Sequence, residues 1–223
     1  SSEVRQLIYN GVKEIVRNYD VDGIHFDDYF YPVLGNGYEK KFDNIEYEAY
    51  VIRCEKYNKK PLSIADWRRN NVNDLVKNVY KSIKDIDPTV EFGISPGGFI
   101  DYLFADSGYY IDIKTWLSKD GYIDYICPQI YWSFSNSTYP YDKTLEKWLS
   151  YRTSSSVKVY VGIATYKAGS SLEPDWKKDK DVLRKQVEYG RDTGLVDGYM
   201  FFRYDFFFNK VTKPGVDRLL EIL

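Results

Sequence analysis

The chain has 223 residues, 43% of them hydrophobic, and a formal net charge of −2. That is enough for one sizeable core. Lys and Arg are interleaved with Asp and Glu, so the clustered positive charge of a nucleic-acid binder is absent. No apolar run reaches the length of a membrane span. Aromatic residues make up 18% of the chain, with 23 Tyr and 5 Trp. The two cysteines, Cys54 and Cys127, read as free thiols, and a single histidine rules against a His-based metal site.

The first element is a helix-like segment over Val4–Tyr19. A short strand, Gly23–Asp28, follows it. Period-two alternation places His25 and Asp27 on one face and Ile24 and Phe26 on the other. The strand runs into two adjacent carboxylates, Asp27 and Asp28, and then into the aromatic run Tyr29-Phe30-Tyr31-Pro32. One Asp there would read as a turn cap. Two, with a same-face histidine and an aromatic loop, read as a site. A long connection, Tyr31–Arg69, holds a short helix around Glu46–Tyr57, and connections of this length are usually functional. Further strands are expected at Glu91–Ser95, Tyr122–Ile130, Lys158–Thr165 and Gly198–Tyr204. Helices are expected near Asn70–Ile86, Ile111–Lys119, Tyr141–Tyr151, Lys180–Thr193 and Pro214–Leu223. Asp66 is the expected N-cap before Asn70, and one of Arg68 and Arg69 is expected on a solvated helix face.

The strands are near-continuous apolar runs, which suits parallel strands buried on both faces. Asp22-Gly23-Ile24, Asp124-Tyr125-Ile126 and Asp197-Gly198-Tyr199 form a weak repeat, each with an Asp just before a strand. Repeated βα units imply a parallel sheet with right-handed crossovers. The fold expected is α/β, a (β/α) TIM-type barrel incomplete at its N-terminus, with about five of eight βα units in one domain over residues 1–223. Either three units lie upstream or the sheet is open; the opening helix calls for a strand before it, which favours three upstream units. Two raw parallel edges would then invite self-association.

In such a barrel the C-terminal strand ends form one rim. It would carry His25, Asp27 and Asp28, then Ser95-Pro96-Gly97-Gly98 as a tight turn with exposed amides. Pro128-Gln129-Ile130-Tyr131-Trp132, Thr165-Tyr166-Lys167 and Arg203-Tyr204-Asp205 complete it. No glycine-rich phosphate loop and no Ser–His or Cys–His pair is present. Carboxylates beside aromatic residues suit glycoside hydrolysis, which needs a carboxylate at an oxocarbenium-like centre, an acid at the leaving oxygen and stacking surfaces for the sugar.

Four stretches, Asp22-Gly23-Ile24-His25-Phe26-Asp27-Asp28-Tyr29-Phe30-Tyr31-Pro32, Asp66-Trp67-Arg68-Arg69-Asn70-Asn71-Val72-Asn73, Gly93-Ile94-Ser95-Pro96 and Asp124-Tyr125-Ile126-Cys127-Pro128-Gln129-Ile130-Tyr131-Trp132, resemble the glycosyl-hydrolase-like 10 family, in that family's order. The resemblance implies a (β/α)8 barrel acting on a bacterial glycan. It also implies a cell-envelope or extracellular location and, in some members, cleavage of peptidoglycan glycan strands stripped of peptide. The first strand would correspond to the family's fourth. It also resembles the fourth-strand pattern of α-amylase-like barrels, whose terminal Asp is the nucleophile; here that is Asp27. Those barrels place a Glu acid on the next strand, but Gly93-Ile94-Ser95-Pro96 has none. Glu46, Glu48, Asp43 and Asp205 are the candidate acids.

The catalytic set expected is therefore Asp27, Asp28 and Glu46. His25, Tyr29, Ser95, Gln129, Tyr131, Trp132 and Tyr166 are expected to bind a polysaccharide or oligosaccharide. No cofactor and no metal is required, and no nucleic acid or transmembrane segment is expected. The rival reading is a non-catalytic glycan-binding module on a degenerate barrel, motivated by the missing acid. Metal-dependent deacetylation would need histidine ligands that the chain lacks.

Overall fold

The structure is a computed structural model and describes residues 2–27, 30–31, 37, 41–105 and 109–223. Five strands, β1 (Gly23–Asp27), β2 (Glu91–Ser95), β3 (Tyr125–Ile126), β4 (Lys158–Ile163) and β5 (Gly198–Phe201), pair in sequence order, every pair parallel. They form a curled half-barrel with helices on the outside. In chain order these are α1 (Ser2–Asn18), α2 (Asn44–Lys56), α3 (Ile64–Lys84), α4 (Ile100–Phe104), α5 (Ile113–Trp116), α6 (Tyr141–Ser150), α7 (Pro174–Lys178), α8 (Val182–Asp192) and α9 (Lys213–Leu220).

Alternation along each strand separates two environments. Ile24, Phe92, Ile94, Ile126, Val159, Val161 and Ile163 are buried. They point outward to the helix layer, where Val76, Val79 and Ile83 of α3 and Trp148 of α6 are closed off from water. Such burial stabilises by about 1.5–3 kcal/mol per large apolar side chain. The inner face carries His25, Asp27, Gly93, Tyr125 and Tyr160. Asp27 and Ser95 lie opposite one another at the ends of β1 and β2.

Two of the three repeated Asp residues, Asp124 before β3 and Asp197 before β5, have a visible physical role. Asp124 accepts the Phe92 N–H of the neighbouring strand at 2.7 Å, and Asp197 accepts the Val159 N–H at 2.8 Å. Lys84 lies 2.9 Å from Asp124, and Arg152 lies 3.1 Å from Asp197. Each carboxylate thus satisfies a backbone donor at the start of the adjacent strand, a group that is costly to leave unpaired.

Three local expectations are corrected. The helix expected from Asn70 begins at Ile64, because Ser63 caps it: its hydroxyl accepts the Asp66 N–H at 3.1 Å and donates to the Asp66 carboxylate at 2.7 Å. Asp66 lies inside the first turn. The strand expected over Tyr122–Ile130 pairs continuously only at Tyr125–Ile126. Pro128 has no N–H to offer, and pairing resumes as single bridges joining Gly97, Gln129 and Gly162. Of the two arginines, one of which is expected on a solvated face, Arg68 is buried with 3% of its side chain exposed, and Arg69 keeps 20% exposed.

Candidate functional site

The rim is built upward from an aromatic layer on the inner face. Gly93 lies in register with His25 on one side and Tyr125 on the other. A methyl group on Gly93 would fall 2.0 Å from the Tyr125 ring. The missing side chain therefore lets that ring lie across β2 and approach β1. The Tyr125 hydroxyl is 3.0 Å from His25 Nδ1, with the two rings stacked at 5.8 Å. Tyr160 continues the layer at 5.0 Å from Tyr125. Burial lowers the His25 pKa, and the Asp27 charge only partly opposes it.

One layer higher, at the strand ends, Gln129 Nε2 donates to Asp27 Oδ1 at 3.0 Å and to the Ser95 carbonyl at 2.9 Å. The Gln129 backbone N–H donates to the Pro96 carbonyl at 2.9 Å. Ser95 Oγ turns toward the sheet and donates to the Cys127 carbonyl at 2.8 Å. Asp27 is exposed at the open end of this array. The turn Pro96-Gly97-Gly98 is buried, contrary to the exposed amides expected of it. Trp132 sits on Gly98, where a Cβ would fall 2.6 Å from the indole, and the Gly98 carbonyl accepts the Trp148 indole N–H at 2.9 Å.

Beside Gln129 an aromatic wall rises. Tyr131 stacks on Phe202 at 6.2 Å, and Tyr166 meets both edge-on, at 6.1 Å from Tyr131 and 6.3 Å from Phe202. Phe202 is 50% exposed. Trp132 packs on Tyr139 at 4.7 Å and on Phe99 at 6.3 Å, so it is half-buried rather than open.

A second carboxylate that sequence reasoning did not single out lies next to this wall. Glu173 accepts the Ser133 N–H at 2.9 Å and a Lys167 Nζ–H at 3.2 Å. Burial acts against its charge, but these donors outweigh burial and hold the carboxyl below its ordinary range. The nearby Glu173 charge adds to burial in raising the Tyr166 pKa. No signal in the sequence marks Glu173, an ordinary loop Glu before the helix-starting Pro174.

The remaining expected residues divide. Asp28 and Tyr29 lie outside the described residues. Glu46 and Glu48 are exposed on α2. Glu46 lines a cleft of about 600 Å³ between α1, α2 and α3, together with Arg5, Arg53 and Asn71; Asp27 is not part of its lining. Asp43 is engaged by Arg68, whose Nε–H donates to its Oδ2 at 2.9 Å. Asp205 is paired with Arg203 at 2.8 Å. Cys54 and Cys127 are buried free thiols, and burial pushes the Cys127 thiol up to about 12.

The fold belongs to a class shared with solved glycoside hydrolase domains. The glycoside hydrolase domain of PgaB (BpsB) from Bordetella bronchiseptica superposes with a TM-score of 0.58 over 96% of this chain and 61% of that one, at 11% identity. The model of the glycosyl hydrolase-like 10 family matches residues 1–178, and the chain belongs to that family. Glycosyl hydrolase YngK of Bacillus subtilis strain 168 is 37% identical over 213 residues, covering 90% of this chain and 40% of the relative. Glycosyl hydrolase DigH of Escherichia coli K12 is 37% identical over 233 residues, covering 97% of this chain and 51% of the relative. The chain thus spans about half the length, or less, of these relatives. No helix among the described residues is long and apolar enough to cross a membrane.

Proposed function

We propose that this chain carries the site of a glycoside hydrolase that cleaves an extracellular or cell-envelope glycan, with peptide-free peptidoglycan strands as the first substrate to test. The observation that carries this reading is Asp27 at the end of β1, held by Gln129, which precedes Tyr131 of the Tyr131–Tyr166–Phe202 wall by two residues. Asp27 serves as nucleophile or charge stabiliser at the oxocarbenium-like centre. The wall supplies ring faces for sugar stacking and hydroxyls for sugar oxygens. His25 supports the floor through Tyr125, and Asp28 and Tyr29 follow Asp27 directly in the chain.

The proton donor is a separate question. Asp43 and Asp205 are committed to arginines, and Glu173 is held ionised by Lys167 and Ser133. A carboxyl held below its usual range is a poor acid at neutral pH. Of the expected acids Glu46 and Glu48 remain, both exposed on α2, and Asp28 supports Asp27.

The competing reading, a glycan-binding module without catalysis, is favoured by one observation: Glu173, the carboxylate beside the aromatic wall, is held in a largely buried ion pair with Lys167. Hydrolysis of peptide-free peptidoglycan strands by the full-length protein and by Asp27→Asn separates the two. Cleavage abolished in the variant supports the hydrolase. Binding by both proteins without cleavage by either supports the module.

A further inference from the structure

Arg68 is buried in the segment Asp66–Asn73, on α3, and its surroundings come from two other parts of the chain. Its guanidinium is bidentate to Asp43 and donates to the Tyr110 hydroxyl at 2.6 Å. It also faces three rings, at 5.1 Å from Tyr110, 5.4 Å from Phe42 and 5.9 Å from Tyr31. Tyr31 and Phe42–Asp43 belong to the connection that leaves β1 at Asp27, and Tyr110 to the one that leaves β2 at Ser95. The rings also meet one another, with Tyr31 at 5.1 Å from Tyr110 and 5.8 Å from Phe42.

Tyr110 has φ of 57°, a backbone region that a bulky side chain occupies only when its surroundings hold it there. Its neighbours are fixed from the same helix: Asn73 donates to Asp112 at 2.8 Å and accepts the Trp116 indole N–H at 2.7 Å. Phe30, three residues beyond Asp27, packs edge-on to Trp116 at 5.9 Å. The two connections meet directly through Tyr31–Tyr110 and Phe30–Trp116, and Arg68 on α3 touches both.

We propose that Arg68 is a positioning residue for the rim, tying the connection after β1, at Tyr31 and Asp43, to the connection after β2, at Tyr110. The role rests on the reading of Asp27 as the site carboxylate. A guanidinium fits it because one rigid fork can satisfy a carboxylate and a phenol together while its faces stack on rings. Stability alone does not demand such a pair, since apolar groups of similar volume often replace a buried ion pair without loss.

The test uses the full-length protein, peptide-free peptidoglycan strands and two variants. Arg68→Lys keeps the charge and loses the fork. The double variant Asp43→Leu with Arg68→Met replaces the pair by apolar groups. In a variant that still melts cooperatively, positioning lowers kcat by roughly 10- to 100-fold while KM moves by less than about threefold, because transition-state contacts are lost and ground-state binding is kept. Wild-type kcat in a cooperatively folded variant overturns the proposal. Should neither variant fold, Tyr110→Phe deletes one hydroxyl, leaves the ion pair in place and is read in the same way.

If the wild type cleaves no strands, the hydrolase reading has failed, and the tie is then judged without activity by amide hydrogen exchange. Faster exchange in Arg68→Lys confined to residues 30–31, 41–43 and 109–112 supports the tie, and unchanged exchange there overturns it.

Discussion

Gln129 and Asp27 are 102 residues apart in the chain, yet the Gln129 amide holds the Asp27 carboxylate at 3.0 Å. The same amide nitrogen holds the Ser95 carbonyl at 2.9 Å, so three strand ends are tied at one point. The carboxylate proposed for catalysis is thereby oriented by a neutral donor, which removes no negative charge from it.

Replacing that donor tests the arrangement. Gln129→Leu removes the two amide hydrogen bonds, to the Ser95 carbonyl and to Asp27 Oδ1. We expect a stability loss of about 0.5–1.5 kcal/mol, the usual net worth of a hydrogen bond, because the Asp27 bond is exposed and the Ser95 bond only part-buried. Urea unfolding reads this directly. Cleavage should fall more than stability does, whereas unchanged turnover would show that Gln129 does not orient the carboxylate.

Gly93 is expected to be intolerant. A Cβ there would lie 2.0 Å from the Tyr125 ring, so Gly93→Ala must displace a buried tyrosine and break its contact with His25. Overpacking of this kind costs about 1–3 kcal/mol. Calorimetry should show a lower Tm. Gly93→Ala combined with Tyr125→Leu should recover part of the loss, and a double variant no better than the single would place the strain elsewhere.

The single histidine gives the fold a pH signature with a defined sign. Burial lowers the His25 pKa from 6.5 in the folded chain. Between the folded value and 6.5 the unfolded chain binds more protons, so stability rises with pH across that window. The contribution is complete above 6.5 and is lost as pH falls through and below it. His25→Gln should flatten this part of the curve. Because part of the His25 side chain is exposed, the slope should be shallow. A slope that persists in the variant would assign it to another group.

Glu173 has the opposite chemistry and works at lower pH. Its carboxyl is held below 4.5 by Ser133 and Lys167 working against burial. The clamp is therefore intact above 4.5 and fails as pH drops through the folded value. Glu173→Gln should loosen the segment between β4 and α7 at neutral pH. Limited proteolysis near residues 168–173 would show this as faster cleavage than in wild type, and equal rates would remove Glu173 as the clamp.

Much of this protein follows from local sequence. Apolar alternation in Gly23–Asp27 and the apolar runs at Glu91–Ser95 and Lys158–Ile163 are local patterns, and the strands formed where those patterns ran. The four motifs carry the family, and its model matches residues 1–178. Asp27 at a strand end was readable because strand direction and side-chain period are both short-range properties.

Partnership across the chain was decided only by the tertiary structure. The sequence did not say which of Arg68 and Arg69 would leave water; Asp43 and Tyr110, 25 and 42 residues away, closed around Arg68. Glu173 carried no mark until folding set it against Ser133, 40 residues earlier. Whether a charge stays in water or takes a buried partner depends on which distant segments meet it, and desolvation and pairing energies are set by that meeting.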